Sequence, residues 1–323
     1  MFANDRWEMR DYPTLIETGH AASHGITQHQ LLNSGRFLRI LPGIRMDTER
    51  LVRFRTPVWA DRSWQRDALS LRAALIKHPG TVAAHALAAR LYGWPLPPNL
   101  MNDQLYLCSA DRNFRINQRR ITLRRKQNLV RVNWYDLPLL SPIDTFIDIG
   151  PDLTLRDLIK LGDASVGNWH GAPQTQLPLL RAEVAERPQV IARRHLLSAL
   201  ELVRETVDSP RETDLRLWTI AVGLPEPTVH PRVRCSIHRE VVEPDLGYED
   251  EKLALEYEGD HHRQSKEQWT RDIDRDEALR DSGWTVLKVT SRTNYRLLEA
   301  KVRQHLGLPL RDQANKQSRQ LDD

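Results

Sequence analysis

The sequence predicts a multidomain chain: an α+β N-terminal part followed by a C-terminal α/β domain with an αβββαβ core. Three observations predict it. Residues 12–46 give two short helix patterns and then a basic hairpin, the order of a small winged helix-turn-helix. Helical and strand patterns mix through residues 61–207 around a long basic stretch. From Ser209 onward a helix signature, period-2 strands, a helix and a last apolar strand succeed one another. The boundaries therefore fall at 1–60 (winged helix-turn-helix), 61–207 (a small α/β middle region), 208–310 (C-terminal domain) and 311–323 (a polar, disordered tail).

At 323 residues, 40% apolar and 28% charged, the chain has room for two or three cores. No apolar run approaches the ~18–20 residues of a membrane span. The opening MFANDRWEMRDYP lacks the apolar centre of a signal peptide. No membrane partner and a cytoplasmic location are expected. Cys108 and Cys235 stand too far apart for metal-ligand spacing, which fits a reducing compartment. The net charge is only +4, but residues 112–131 carry eight basic side chains and no acid. Such a cluster suggests a surface that contacts phosphates, the plainer alternative being a solvated strand pair.

Residues 12–34 read as two short helices broken near His24-Gly25. Thr27 is the N-cap of the second, and Gln30 completes a capping box. Leu31 and Leu32 are expected to face inward. Gln28, His29 and Asn33 are expected to face outward, where a recognition helix meets base edges. Phe37–Leu41, the Pro42-Gly43 turn and Ile44–Met46 form a hairpin, with Arg36, Arg39 and Arg45 placed for phosphates. A protein-contact module is the alternative. Residues 62–94 read as two helices, stopped by Pro95, Pro97 and Pro98. Leu105–Cys108, Ile121–Leu123 and Leu129–Val132 follow as strands around the basic stretch, whose DNA-contact candidates are Arg119, Arg120, Arg124 and Arg125. Helices are expected from Ser141-Pro142, over Leu153–Val166, Leu177–Val184 and Ile191–Val207.

Ser209-Pro-Arg-Glu212 is a helix start, with Ser at the N-cap, Pro at the first position and Glu at the third. Val229–Val233 and Ser236–Val242 read as strands. Leu253, Leu255 and Tyr257 then alternate with Ala254, Glu256 and Glu258, which puts both glutamates on one face of a strand. A hairpin closing near Gly247 brings Asp245 beside Glu256. Three carboxylates would then meet next to His261 and His262, an oxygen-rich nest for Mg²⁺ or Mn²⁺. Such a cluster repels itself unless a cation or proton neutralises it. A solvated acidic hairpin is the alternative, a role that Glu249, Asp250 and Glu251 fit better. A helix over Glu267–Ser282 anchored by Trp269, Ile273 and Leu279, a strand over Trp284–Val289 and a helix over Asn294–Leu306 complete the domain.

The ordered set Pro244-Asp245, Glu256-Tyr257-Glu258-Gly259, His261-His262, Arg271-Asp272 and Gly283-Trp-Thr-Val-Leu-Lys-Val289 resembles the PD-(D/E)xK nuclease superfamily. Within it, the domain is similar to the one related to very-short-patch-repair endonucleases. Gly25-Ile-Thr27, Leu41-Pro-Gly43 and Leu87-Ala-Ala-Arg-Leu-Tyr-Gly93 resemble the winged-helix region of AbiEi-type abortive-infection antitoxins. The first resemblance implies a restriction-endonuclease-like fold in which Asp245 and Glu256 hold Mg²⁺ or Mn²⁺ for hydrolysis of DNA. It implies that Glu258 stands where the superfamily has its lysine, as a base or a further metal ligand, with Lys288 a substitute source of positive charge. It matches His262, and less closely His261, to a proton-shuttling histidine, and Glu212 to an acid on the first helix that a capping role explains equally well. Double-stranded DNA is the implied partner, in defence or repair. The alternatives are an inactive regulator or antitoxin, and a protein whose middle region binds a toxin.

Overall fold

The computed structural model describes residues 8–259 and 266–310. It is a mixed α/β chain with several sheets and two units. The first unit runs to Val166 and resumes over His170–Val203; the second holds Gly167–Trp169 and the chain from Arg204.

The described part of the first unit begins with β1 (Glu8–Glu17), whose residues 12–17 the sequence predicts as helix. Pro13 explains the difference. It lacks an N–H and breaks the period, yet β1 is an edge strand and the register shifts at Pro13/Thr14, the setting in which a strand tolerates proline. A 3₁₀ turn over Thr18–His24 ends at Gly25, whose φ of 71° favours glycine. The expected capping box opens α1 (Gln28–Asn33): Gln30 N donates to Thr27 Oγ1 at 3.2 Å, and Thr27 N donates to Gln30 Oε1 at 2.9 Å. Leu31 packs among Ile16, Ala21 and Phe37. Leu32 is 45% exposed instead of facing inward, because adjacent helical residues point in different directions. β2 (Phe37–Leu41) and β3 (Ile44–Thr56) complete a sheet ordered β1-β3-β2.

Asp61 caps α2 (Arg62–Lys77) by accepting from Trp64 N at 2.8 Å. The two helices expected over residues 62–94 are both present, separated by β4 (Val82–Ala83), the second being α3 (His85–Tyr92). β5 (Leu105–Ser109), β6 (Ile121–Arg125), β7 (Arg131–Trp134) and β8 (Leu137–Leu140) build a sheet ordered β6-β5-β4-β8-β7. Helices α4 (Pro142–Ile149), α5 (Leu155–Val166), α6 (Leu177–Glu186) and α7 (Arg193–Leu202) follow. The last ends five residues short of the expected Val207.

His85 is 1% exposed, with Nε2 2.8 Å from Asp152 Oδ2. Burial and the nearby Arg124 outweigh Asp152 and push the imidazole down to about 4. The unfolded chain therefore takes up this proton first as pH falls. Its contribution to stability is complete above about pH 6.5 and is lost on the way down to about pH 4. His85→Gln is expected to remove up to about 3 kcal/mol of that acid-side loss, measured by urea unfolding across this pH window.

In the second unit α8 (Pro210–Ala221) leads into β9 (Thr228–Val229), β10 (Val233–Cys235) and β11 (Glu240–Val242). These three short strands replace the two longer ones expected. β12 (Leu246–Tyr248), β13 (Leu253–Tyr257), α9 (Lys266–Asp281), β14 (Thr285–Val289) and α10 (Tyr295–His305) follow. The main sheet is ordered β14-β13-β12-β9, with β13 and β14 parallel and the other pairs antiparallel. Leu246, Leu253, Leu255 and Val289 pack on one face with Leu215 of α8 and Leu298 and Val302 of α10. Ala254 packs on the other with Ala278 and Leu279 of α9. Ile273, an expected anchor of α9, is 42% exposed. Trp269 lies where no side chain is described.

Gly247 sits in β12 under Pro231 and Trp284. A Cβ there would lie 2.6 Å from Pro231 Cγ and 3.1 Å from a Trp284 ring carbon. Gly247→Ala is expected to destabilise by about 1–3 kcal/mol, seen as a lower urea midpoint. No helix among the described residues is long and apolar enough to cross a membrane.

Candidate metal centre

The N-terminus of α8 supplies the first carboxylate. Glu212 N donates to Ser209 Oγ at 3.2 Å, so the cap that the sequence predicts is present. The Glu212 side chain is buried, and its Oε2 accepts from Asp208 N at 3.0 Å. The same oxygen lies 3.0 Å from His230 Nε2. Helix capping and site building thus meet in one residue.

His230 follows β9 directly. Its backbone N donates to Asp245 O at 3.1 Å, and its Nδ1 lies 3.5 Å from Asp208 Oδ2. Asp245 immediately precedes β12. The register Leu246↔Leu255 sets it opposite Glu256, and its Oδ2 accepts from Tyr257 N at 2.7 Å. One carboxylate oxygen each from Glu212 and Asp245 and one ring nitrogen of His230 lie within 4.8 Å of one another.

Glu256 turns away from its neighbour Leu255 to the face of the sheet that carries Ala254. Its side chain is 13% exposed. Its Oε1 is buried with no hydrogen-bond partner; Arg275 Nη2, at 3.6 Å, stands beyond hydrogen-bond reach. Arg275 donates instead to Glu243 O.

The electrostatics follow from burial and crowding. Burial and the Glu212 charge push the Asp245 carboxyl up, against the Tyr257 N–H. Burial pushes Glu256 up to about 7; Arg275 opposes the shift, while Asp245 and Asp276 reinforce it. The hydrogen bond to Glu212 raises His230 despite burial. Carboxyls raised in this way are short of positive charge, which a proton or a cation can supply. The carboxylate oxygens fit a divalent cation such as Mg²⁺ or Mn²⁺, and His230, with both ring nitrogens facing carboxylates, serves as a partner of Glu212. Glu256, expected as a metal ligand, is not one of the three residues whose donor atoms come within 4.8 Å of one another; it stands on the adjoining strand with its unpartnered oxygen buried.

Glu258, expected as a third metal ligand, stands apart from the Glu212–His230–Asp245 group. It is half exposed, with Oε1 2.8 Å from Lys288 Nζ. Lys288 Nζ is also 2.6 Å from Asp276 Oδ2, and Lys288 is the strand partner of Glu256. Burial opposes the ammonium, but Asp276 and Glu258 outweigh it and raise Lys288. His261 and His262 lie outside the described residues. His230 is the residue that sequence reasoning missed, because it was absorbed into an expected strand over Val229–Val233. The available signal was the pair His230-Pro231, since proline ends a strand more readily than it continues one.

The candidate DNA contacts divide into exposed and committed groups. Gln28, His29 and Asn33 are exposed on α1, with Asn33 Nδ2 3.1 Å from His29 Nδ1. Arg39, Arg119 and Arg125 are exposed. Arg45 donates to Phe37 O at 2.8 Å, and Arg120 to Ile40 O at 3.2 Å. Arg36, expected at phosphates, is instead forked onto the buried Asp47 with two 2.6 Å bonds and reaches Glu49 at 2.8 Å. Arg124 likewise pairs with Asp148 at 3.0 Å and Asp152 at 3.6 Å. A stretch without acids in sequence is partly neutralised in space.

No family model matches the chain, and no curated protein matches it. Among solved structures, the crystal structure of the RV2827C protein from Mycobacterium tuberculosis is similar at 14% identity and a TM-score of 0.38. It covers 71% of this chain and 86% of that one. A likeness at that level carries no argument.

Proposed function

We propose that the chain is a DNA-binding protein whose second unit hydrolyses phosphodiesters with the help of a divalent cation. The observation that supports this is the grouping of Glu212, His230 and Asp245, with Glu256 and its unpartnered oxygen on the adjoining strand. A cation held there supplies the positive charge that polarises a phosphate and makes water more acidic. Asp245 and Glu256 would hold it from paired strands, and Glu212 from the start of α8. His230, between Glu212 and Asp208, carries a proton at the Glu212 oxygen and fixes that carboxylate's orientation. Lys288 offers a fixed ammonium beside Glu256, in the role that the resemblance gives to a lysine at position 258. Double-stranded DNA is the proposed partner. Gln28, His29 and Asn33 would face bases, and Arg39 and Arg119 phosphates.

A second reading, a silent regulator or antitoxin with a toxin partner, draws on a different observation. His230 already stands against Glu212 and Arg275 near Glu256, so the cluster can persist without turnover. Supercoiled plasmid and mismatched duplex incubated with Mg²⁺ or Mn²⁺, with EDTA as control, separate the two. Nicking that requires the metal is expected. Salt-dependent DNA binding without nicking on either substrate selects the regulator.

A further inference from the structure

The first unit contains a cleft of 920 Å³ between the end of β6, α4 and the loop before α7. Its size falls in the range of small-molecule sites, about 300–1,000 Å³. Arg124, Arg125, Lys126 and Arg187 line it, against the acids Asp148 and Asp152. Beneath it, Asp144 accepts both Lys126, at 2.5 Å, and Arg187 on the single oxygen Oδ1. The surplus of charge in the cleft is positive.

The lining is also incomplete as a purely structural network. Arg124 Nη1 and Asp148 Oδ1 pair at 3.0 Å, yet Arg124 Nε and Asp148 Oδ2 are buried without hydrogen-bond partners. A buried donor or acceptor left unmade is costly, and a ligand can complete it. Apolar surface stands at the mouth: Val130 is 51% and Ile191 74% exposed. The loop carrying Ile191 holds Gln189 and Ala192 at φ of 57° and 53°, a left-handed conformation that side chains other than glycine seldom adopt. Such local strain clusters at ligand clamps.

We propose that this cleft binds a nucleoside phosphate. Anion, hydrogen-bond donors and an apolar face are all required of the ligand, and a nucleoside phosphate combines them at the right size. The phosphates meet Arg125, Lys126 and Arg187. Sugar hydroxyls or base N–H groups donate to Asp148, and the base lies against Val130 and Ile191. A free phosphate meets the first requirement alone.

Calorimetric titration of the full chain in EDTA with ATP, AMP and inorganic phosphate tests this. ATP is expected to bind at least about tenfold more tightly than phosphate, a gap of about 1.4 kcal/mol. Arg125→Ser and Lys126→Met are each expected to weaken ATP about tenfold or more. Arg125 is exposed and bonded to the Phe114 carbonyl, so its replacement keeps the fold, as an unchanged melting temperature will verify. Asp245→Asn is expected to leave ATP affinity unchanged. The proposal is overturned if neither nucleotide binds at concentrations up to about 1 mM. It is equally overturned if phosphate binds as tightly as ATP, or if the Arg125 variant binds ATP as well as the wild type.

Discussion

Asp245→Asn is expected to lower the proposed metal-dependent DNA cleavage by at least about 100-fold, since even partners one shell beyond a metal ligand are worth 10–100-fold, and to leave the melting temperature in EDTA level or higher. The two effects have one cause. Asp245 is a carboxyl raised by burial and by Glu212, so its charge costs stability where no cation offsets it. The amide keeps an oxygen to accept from Tyr257 N, the hydrogen bond that ties β12 to the end of β13. It removes the repulsion that Asp245 exerts on Glu256. A residue that merely held the hairpin would lower stability and activity together. Nicking rates and melting curves measured on the same preparations separate these outcomes.

Arg90→Leu is expected to destabilise the first unit by about 3–5 kcal/mol, the usual cost of stranding one partner of a buried ion pair. Arg90 Nε and Nη2 contact the two oxygens of Asp67 at 2.7 and 3.3 Å, and the guanidinium also donates to the carbonyls of Leu100 and Gln104. The two side chains are 5% and 8% exposed. Burial raises the Asp67 carboxyl even with Arg90 present. An acid raised on folding keeps its proton longer in the folded state, so stability falls as pH rises from the unfolded value through the folded one. Losing Arg90 extends that window upward, and the deficit of the variant should shrink in acid. Adding Asp67→Leu should restore part of the loss by removing the stranded charge. Urea unfolding at two pH values checks all three statements; a deficit that is the same at both would contradict the account.

What was legible in the sequence was mostly local. The acidic strand announced itself because Leu253, Leu255 and Tyr257 alternate with their neighbours, and the pairing of Asp245 with Glu256 needs only a hairpin. Ser209 and Glu212 carry a capping signature within four residues. What escaped depends on distant pairing. Arg36 meets Asp47 only through the register of β2 and β3, in which Phe37 opposes Asp47. Arg124 meets Asp148 across a sheet-to-helix contact 24 residues long in sequence. Neither pair shows in a count of charges. His230 joins the centre because β9 pairs with β12, placing Val229 opposite Leu246, and a two-residue strand leaves almost no periodic trace. β1 was hidden by Pro13, whose bulge preserves a strand that its residue type argues against.

The most direct test of the metal centre is a titration of Mn²⁺ into the full chain, followed by the electron paramagnetic resonance signal of the free ion. The account predicts a site that takes up Mn²⁺ in the wild type and that Asp245→Asn and Glu256→Gln each weaken strongly, with both variants folded. Absence of uptake by the wild type, or uptake that neither substitution changes, would contradict it.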